Sequence, residues 1–111
     1  MSDGDWNSAK QSMLGRADFY IGQGYTMQGR WGPASKALKA SLGSIKGNEQ
    51  FYAIALFDLG LANYNLGKTV GDKAQIREGL KYFEQSAAMK SSVQDQAARN
   101  ATLVRTELGG K

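Results

Sequence analysis

Two stretches of the chain repeat one pattern 38 residues apart. Phe19-Tyr20-Ile21-Gly22-Gln23-Gly24-Tyr25-Thr26-Met27-Gln28-Gly29 is answered by Phe57-Asp58-Leu59-Gly60-Leu61-Ala62-Asn63-Tyr64-Asn65-Leu66-Gly67. In each, an aromatic residue stands two positions before an aliphatic–Gly pair, and a second Gly follows seven residues after the first. Repetition at a period of about 20–50 residues marks stacked supersecondary units that cannot bury their apolar faces alone. It constrains architecture strongly and function only by class.

The periodicity around the repeats is helical throughout. From Asp5 to about Gln28, a 3.6-residue stripe runs through Trp6, Ala9, Met13, Leu14, Ala17, Ile21 and Tyr25, with Asp3 or Asp5 as its cap. Gly29 closes that helix and Gly32-Pro33 opens a second, because Pro in a first turn lacks an N–H that would be unsatisfied anyway. The second helix carries Ala34, Ala37, Leu38, Ser41 and Leu42 and is expected to end near Gly43. Asn48 is placed to cap a third, running to Leu66 and stopped by Gly67. Lys68 to Gly71 read as a loop that tolerates loss of Val70 and Gly71, since loop length costs little closure entropy. Asp72 with Gln75 forms a capping-box pattern for a fourth helix, reaching about Lys90 with Ile76, Leu80, Phe83 and Ala87 on its stripe. Ser92 and Asp95 open a fifth, through Leu108, with Ala98, Ala101 and Leu108 facing inward. Five amphipathic helices joined by short turns predict an all-α fold.

Composition fits one small helical domain spanning residues 1–111: 41% hydrophobic, 22% charged and a single Pro. The chain contains no His and no Cys. It therefore lacks the commonest general base and metal ligand, and has no thiolate nucleophile or disulfide. A non-enzyme with no metal or cofactor is the expectation. The net charge of +4 is spread over Lys36, Lys39, Lys46, Lys68, Lys73, Arg77 and Lys81, which are interleaved with acids. Scattered charge of this kind describes solvated helix faces rather than a nucleic-acid patch. No apolar run reaches the roughly 18 residues of a membrane span, so neither membrane insertion nor secretion is expected, and a cytoplasmic setting is.

The residues resemble the tetratricopeptide repeat family, whose unit is a helix–turn–helix of 34 residues. Ile21-Gly22, Tyr25 and Gly29-Arg30-Trp31 match its first-helix and turn pattern, with Ala34 and Leu38 at its second-helix positions; Leu59-Gly60, Gly67, Gly79, Phe83 and Ser86 follow in the second copy. The resemblance implies antiparallel helix-hairpin repeats wound as a right-handed α-solenoid. The first repeat spans about 16–46 and the second about 53–91, with a longer inter-helix loop at 68–72; a C-terminal capping helix covers about 92–109. Gly22 against Ala34, and Gly60 against Gly79, are the expected close crossings. A mid-helix Gly costs roughly 1 kcal/mol against Ala, so its recurrence at one register points to packing. Departures are Asp18 at a usually large position, Asn63 in place of the second aromatic, and Lys46 and Ser91 where the closing Pro is usual.

The same resemblance puts the first helix of each pair on a concave binding face. The candidates there are Phe19, Gln23, Thr26 and Met27 from the first unit; Ile54, Phe57, Leu61, Tyr64 and Asn65 from the second; and Arg99 and Leu103 from the last helix. This lining is mainly apolar. It lacks the cations with which some family members hold a C-terminal carboxylate, and suits a peptide or amphipathic helix instead. The expected function is a protein–protein interaction scaffold. The alternative is an oligomerisation unit, or a fragment of a longer repeat protein, self-associating through its terminal helices or the groove; Trp6 is a further candidate to cover the apolar lining. Leu66-Gly67-Lys68-Thr69 is not a phosphate loop, because Ala62 stands where the motif needs its first Gly. Gly22-Gln23-Gly24 likewise lacks the third glycine of a dinucleotide fingerprint, with Met27 there. Asn100-Ala101-Thr102 fits a glycosylation acceptor but falls within a helix.

Overall fold

The computed structural model describes residues 16–109, all in helices and short turns with no strand among them. Helix α1 occupies 16–27 of the described residues. It is followed by α2 (Trp31–Ile45), α3 (Glu49–Val70), α4 (Lys73–Ala87) and α5 (Gln94–Leu108). Consecutive helices pack on each other, α2 on α3, α3 on α4 and α4 on α5. The protein is all-α. The proposed Asp3 or Asp5 cap and the Trp6 plug lie outside the described residues.

Two clusters form the core. The first joins Phe19 of α1 to Ala34, Leu38 and Ile45 of α2 and Ala55, Leu59 and Ala62 of α3. The second joins Ile76 and Phe83 of α4 to Ala101 and Val104 of α5. Gly22 and Gly60 are both closely packed. A Cβ on Gly22 would lie 2.6 Å from the Leu38 side chain, and one on Gly60 would lie 2.6 Å from Phe83. The atoms nearest Gly22 thus belong to Leu38, one turn beyond Ala34. Gly60 and Gly79 do approach each other, a Cβ on Gly79 falling 2.8 Å from the Gly60 carbonyl oxygen. Ser41 and Ser86, each three residues beyond Leu38 and Phe83, are both fully buried. Ser41 Oγ donates to the Leu38 carbonyl at 2.7 Å, and Ser86 Oγ donates across to Ala53 of α3 at 2.8 Å.

Of the expected loop at 68–72, residues 68–70 are helix, and Gly71 and Asp72 form the turn. Gly67 does not stop α3; it sits buried in the last turns, where a Cβ would collide with Ile76 and with the Asp72 carbonyl. The chain turns at Gly71, whose φ of 71° is left-handed, and Asp72 N–H closes on the Gly67 carbonyl at 2.8 Å. The α1–α2 turn is built identically: Gly29 has φ 71°, and Arg30 N–H reaches the Tyr25 carbonyl at 2.9 Å. Both are glycine-terminated helix ends whose i→i−5 bond satisfies an orphan carbonyl. Helices α2 and α4 each have 15 residues, and the two turns share one geometry. Deleting Val70 and Gly71 would remove the last residue of α3 and the left-handed residue of the turn, so it should not be neutral. Gly71→Ala alone should cost about 1 kcal/mol for its left-handed backbone, and the deletion more, as read by thermal melting followed at 222 nm.

Other boundaries shift by a turn or less. Helix α2 begins at Trp31 and runs on to Ile45, past Gly43, with Pro33 still inside the first turn. Asn48 and Asp72 cap as expected: Asn48 Oδ1 accepts from Phe51 N–H at 3.0 Å, and Asp72 Oδ1 accepts from Ala74 and Gln75 N–H. Helix α4 stops at Ala87, short of Lys90. Ser92 does not cap α5, which begins at Gln94; instead it exchanges two hydrogen bonds with the Gln50 amide at the start of α3. Ala97, not Ala98, faces inward with Ala101, and Val104 continues that face. Asn63, in place of an aromatic, is buried and satisfied, its Nδ2 donating to the Leu59 carbonyl and its Oδ1 accepting from Gln75.

A candidate groove between α3 and α5

Residues one or two turns apart on a helix share a face, so Leu61, Tyr64 and Asn65 of α3 stand together. Helix α5 brings Asn100, Leu103 and Val104 opposite them, and Phe83 of α4 forms the floor. The cleft between them has a volume of about 170 Å³ and a largely apolar wall. That is below the roughly 300–1,000 Å³ of small-molecule sites, and suits one apolar side chain of a larger partner. Leu103 is 67% exposed at its rim. It continues outward into a shallow surface on α5 shared with Ala98, Arg99 and Thr102.

The polar groups of the groove are amides. Asn65 Nδ2 donates to the Leu61 carbonyl at 2.8 Å, which fixes the side chain and leaves its oxygen to accept. One end of the groove is tied by a carboxylate. Tyr64 OH donates to Glu107 Oε2 at 2.6 Å, and Lys68 pairs with Glu107 Oε1. The Lys68 bond, and then that from Tyr64, hold the Glu107 carboxyl below its ordinary range. Glu107 in turn raises both Tyr64 and Lys68. A second bridge, Arg105 to Glu84 at 3.4 Å, joins α5 to α4. Exposed pairs of this kind are worth little singly; Glu107 links α5 to α3, and Arg105 links it to α4.

Of the sequence candidates, Leu61, Tyr64, Asn65 and Leu103 come together in the groove, with Arg99 beside it. Phe19 does not line a surface. It is 1% exposed and stacks on Phe51 with ring centroids 5.2 Å apart. Ile54 packs half-buried against the first core cluster, and Phe57 against the second, its ring 5.7 Å from Phe83. Gln23 and Thr26 are half-buried on α1, and Thr26 Oγ1 is turned to the Gly22 carbonyl. Met27 stands 89% exposed, apart from the groove. Asn100 and Glu107 were not anticipated as groove residues. The i, i+3 spacing of Asn100 to Leu103 was the available signal for the first, whereas the tie of Glu107 to α3 has no local trace in the sequence.

One further group stands out chemically. Asp58, on α3, is buried, and burial pushes its carboxyl up to about 7. Among the described residues no side chain pairs with it or hydrogen-bonds to it. Among those residues, too, no three carboxylates gather as metal ligands and no helix is long and apolar enough to cross a membrane. Compared with protein-family models, curated proteins and solved structures, the chain matches none.

Proposed function

We propose that the protein is a non-enzymatic interaction module of the tetratricopeptide type, a short right-handed array of helix hairpins. It takes a peptide, or the apolar face of an amphipathic helix, between α3 and α5. The observation that carries this reading is the groove itself: Leu61 and Leu103 present apolar surface beside two asparagine amides over a Phe83 floor. Apolar side chains supply the burial of an anchoring residue, and amides can meet the polar backbone that accompanies it. The paired contacts of Gly22 with Leu38 and Gly60 with Phe83 support the repeat assignment, because both first helices meet their partners at one register.

The test is selection from a short-peptide display library, followed by affinity measurement against the wild type and Leu103→Glu. Leu103 is exposed, so its replacement should preserve the fold while weakening selected peptides at least roughly tenfold, about 1.4 kcal/mol. Amide chemical-shift changes on binding should centre on Leu61, Asn65 and Asn100. Peptides that bind the variant equally well, or that shift α1 and α2 instead, would overturn the groove assignment.

A further inference from the structure

A carboxylate inside a small helical domain normally has a cation or several N–H donors beside it, because an unpaired charge is costly to bury. Asp58 has neither. It is 9% exposed, and none of the described residues pairs with it or donates to it. Burial alone lifts its carboxyl, with no cation acting against the rise. Yet it is not sealed. Every fully buried side-chain nitrogen or oxygen among the described residues has a hydrogen-bond partner, and Asp58 has none, so both its carboxyl oxygens keep a path to the surface. An unpaired acid at the bottom of a narrow opening lowers stability and is ready to take a cation from outside.

Its place on α3 says what would bring that cation. Asp58 follows Ala55 by three residues and precedes Leu59 and Ala62 by one and four. Those three are buried in one cluster with Phe19 of α1 and Leu38 of α2. Asn100 stands in the same relation to Ala97, Ala101 and Val104 of α5, and Asn100 lines the groove. Asp58 is thus to the seam between α1 and α3 what Asn100 is to the groove between α3 and α5. Leu61, one turn on from Asp58, stands between the two and forms the α3 wall of the groove. A ligand that seats an apolar side chain between Leu61 and Leu103 therefore has Asp58 about one helix away, roughly 10 Å. That is about three residues of an extended chain.

Resting on the groove reading above, we infer that Asp58 pairs with a lysine or arginine side chain of the ligand peptide whose apolar anchor sits between α3 and α5. The other acid beside the groove, Glu107, is already engaged by Tyr64 and Lys68, and Glu84 behind it by Arg105. The seam positions of α1 that correspond to Leu61, Tyr64 and Asn65 are Gln23, Thr26 and Met27, which carry no charge. Helix α2 gives the adjoining cluster only Ala34, Leu38 and Ile45; Tyr25 of α1, Tyr52 of α3 and Tyr82 of α4 border it, and none of these acts on Asp58. A ligand amide or hydroxyl could bond the protonated carboxyl. A cation needs the ionised form, so its binding releases a proton, and that coupling separates the two.

Two peptide display libraries test this, both with a fixed leucine or phenylalanine anchor. One carries lysine or arginine three residues to either side of it, the other glutamine. The first should be enriched on the full chain. Its peptides, synthesised with blocked ends and without histidine, should lose at least about tenfold in affinity when the cation becomes norleucine, or when the protein carries Asp58→Asn. Removing an unpaired buried acid does not weaken the fold, so that loss is not unfolding. Wild-type affinity should rise more than about tenfold from pH 5.5 to pH 7.5, since an acid lifted to about 7 must first give up its proton, and the Asn variant should stay level. Glu107, held low, remains ionised across this range. Peptides that need Leu103 but bind alike with and without the cation, or alike to Asp58→Asn, would overturn this inference and leave the groove standing. Binding that ignores Leu103→Glu would overturn the groove reading, and enrichment from neither library would overturn both.

Discussion

Asp58→Asn should stabilise the protein, and the gain should grow from little near pH 4 to its full value above pH 7. Asp58 lies on the α3 face that packs under the first helix pair, and is 9% exposed. Burial disfavours its charged form and raises the carboxyl from 3.8 to about 7. Between those two values the folded chain holds a proton that the unfolded chain has released. Stability therefore falls as pH rises through this window, the reverse of a salt-bridged carboxylate. A difference of about three pH units at 1.36 kcal/mol each corresponds to roughly 4 kcal/mol by pH 8. Asn keeps the shape and carries no charge, so it removes that slope. Melting temperatures at pH 5, 6, 7 and 8 check it: the wild type should lose on the order of 10 °C or more across the series, and the variant much less. Glu107 acts with the opposite sign, since its lowered carboxyl stabilises above its unfolded range and is lost in acid. A wild-type melting temperature that is level from pH 5 to pH 8 would show that Asp58 stays ionised at no cost.

The helices were legible in the sequence because they depend on local spacing. Asn48 and Asp72 declared their caps through chemistry that acts within three residues. Local spacing does not fix a residue's role where that role is set by what stands opposite it. Gly67 looked like a terminator because its partner Gly29 is one, yet α3 continues, and Gly67 serves as a packing gap for Ile76. Phe19 and Phe57 occupy equivalent places in the echo; Phe19 is buried through the Phe51 ring on α3, and Phe57 lies against Phe83. The apolar stripe of α1 was legible as a stripe, but a stripe does not say whether the chain itself covers it. In the groove, Leu61, Tyr64, Asn65 and Leu103 were legible from helix registers. The Glu107 tie was not, since it joins groups about forty residues apart on exposed surfaces. Around Asp58, nothing in the sequence distinguishes a buried acid from a solvated one.

Three glycine-to-alanine substitutions should separate the roles that the echo compresses into one residue type. At Gly24 the added methyl meets open space, so alanine should stabilise the monomer by roughly 1 kcal/mol through helix propensity. At Gly22 the methyl would fall 2.6 Å from Cγ of the fully buried Leu38, a side chain that must repack rather than a backbone that must move, so the loss should be intermediate. Gly79 is different in kind. Its methyl would fall 2.8 Å from both the Gly60 carbonyl oxygen and the Tyr64 amide nitrogen, and backbone inside a helix has no rotamer to change. The only relief is for α4 to move off α3, which loosens Phe83 from Gly60 and opens the groove floor in the same displacement. Gly79→Ala should therefore cost at least about 3 kcal/mol. It should also weaken groove ligands, in contrast to Gly24→Ala. Urea unfolding of the three variants in one buffer decides the order. If Gly79→Ala proves as stable as the wild type, then α3 and α4 do not cross at Gly60, and the correspondence between Gly22–Leu38 and Gly60–Phe83 no longer describes how the two hairpins are built.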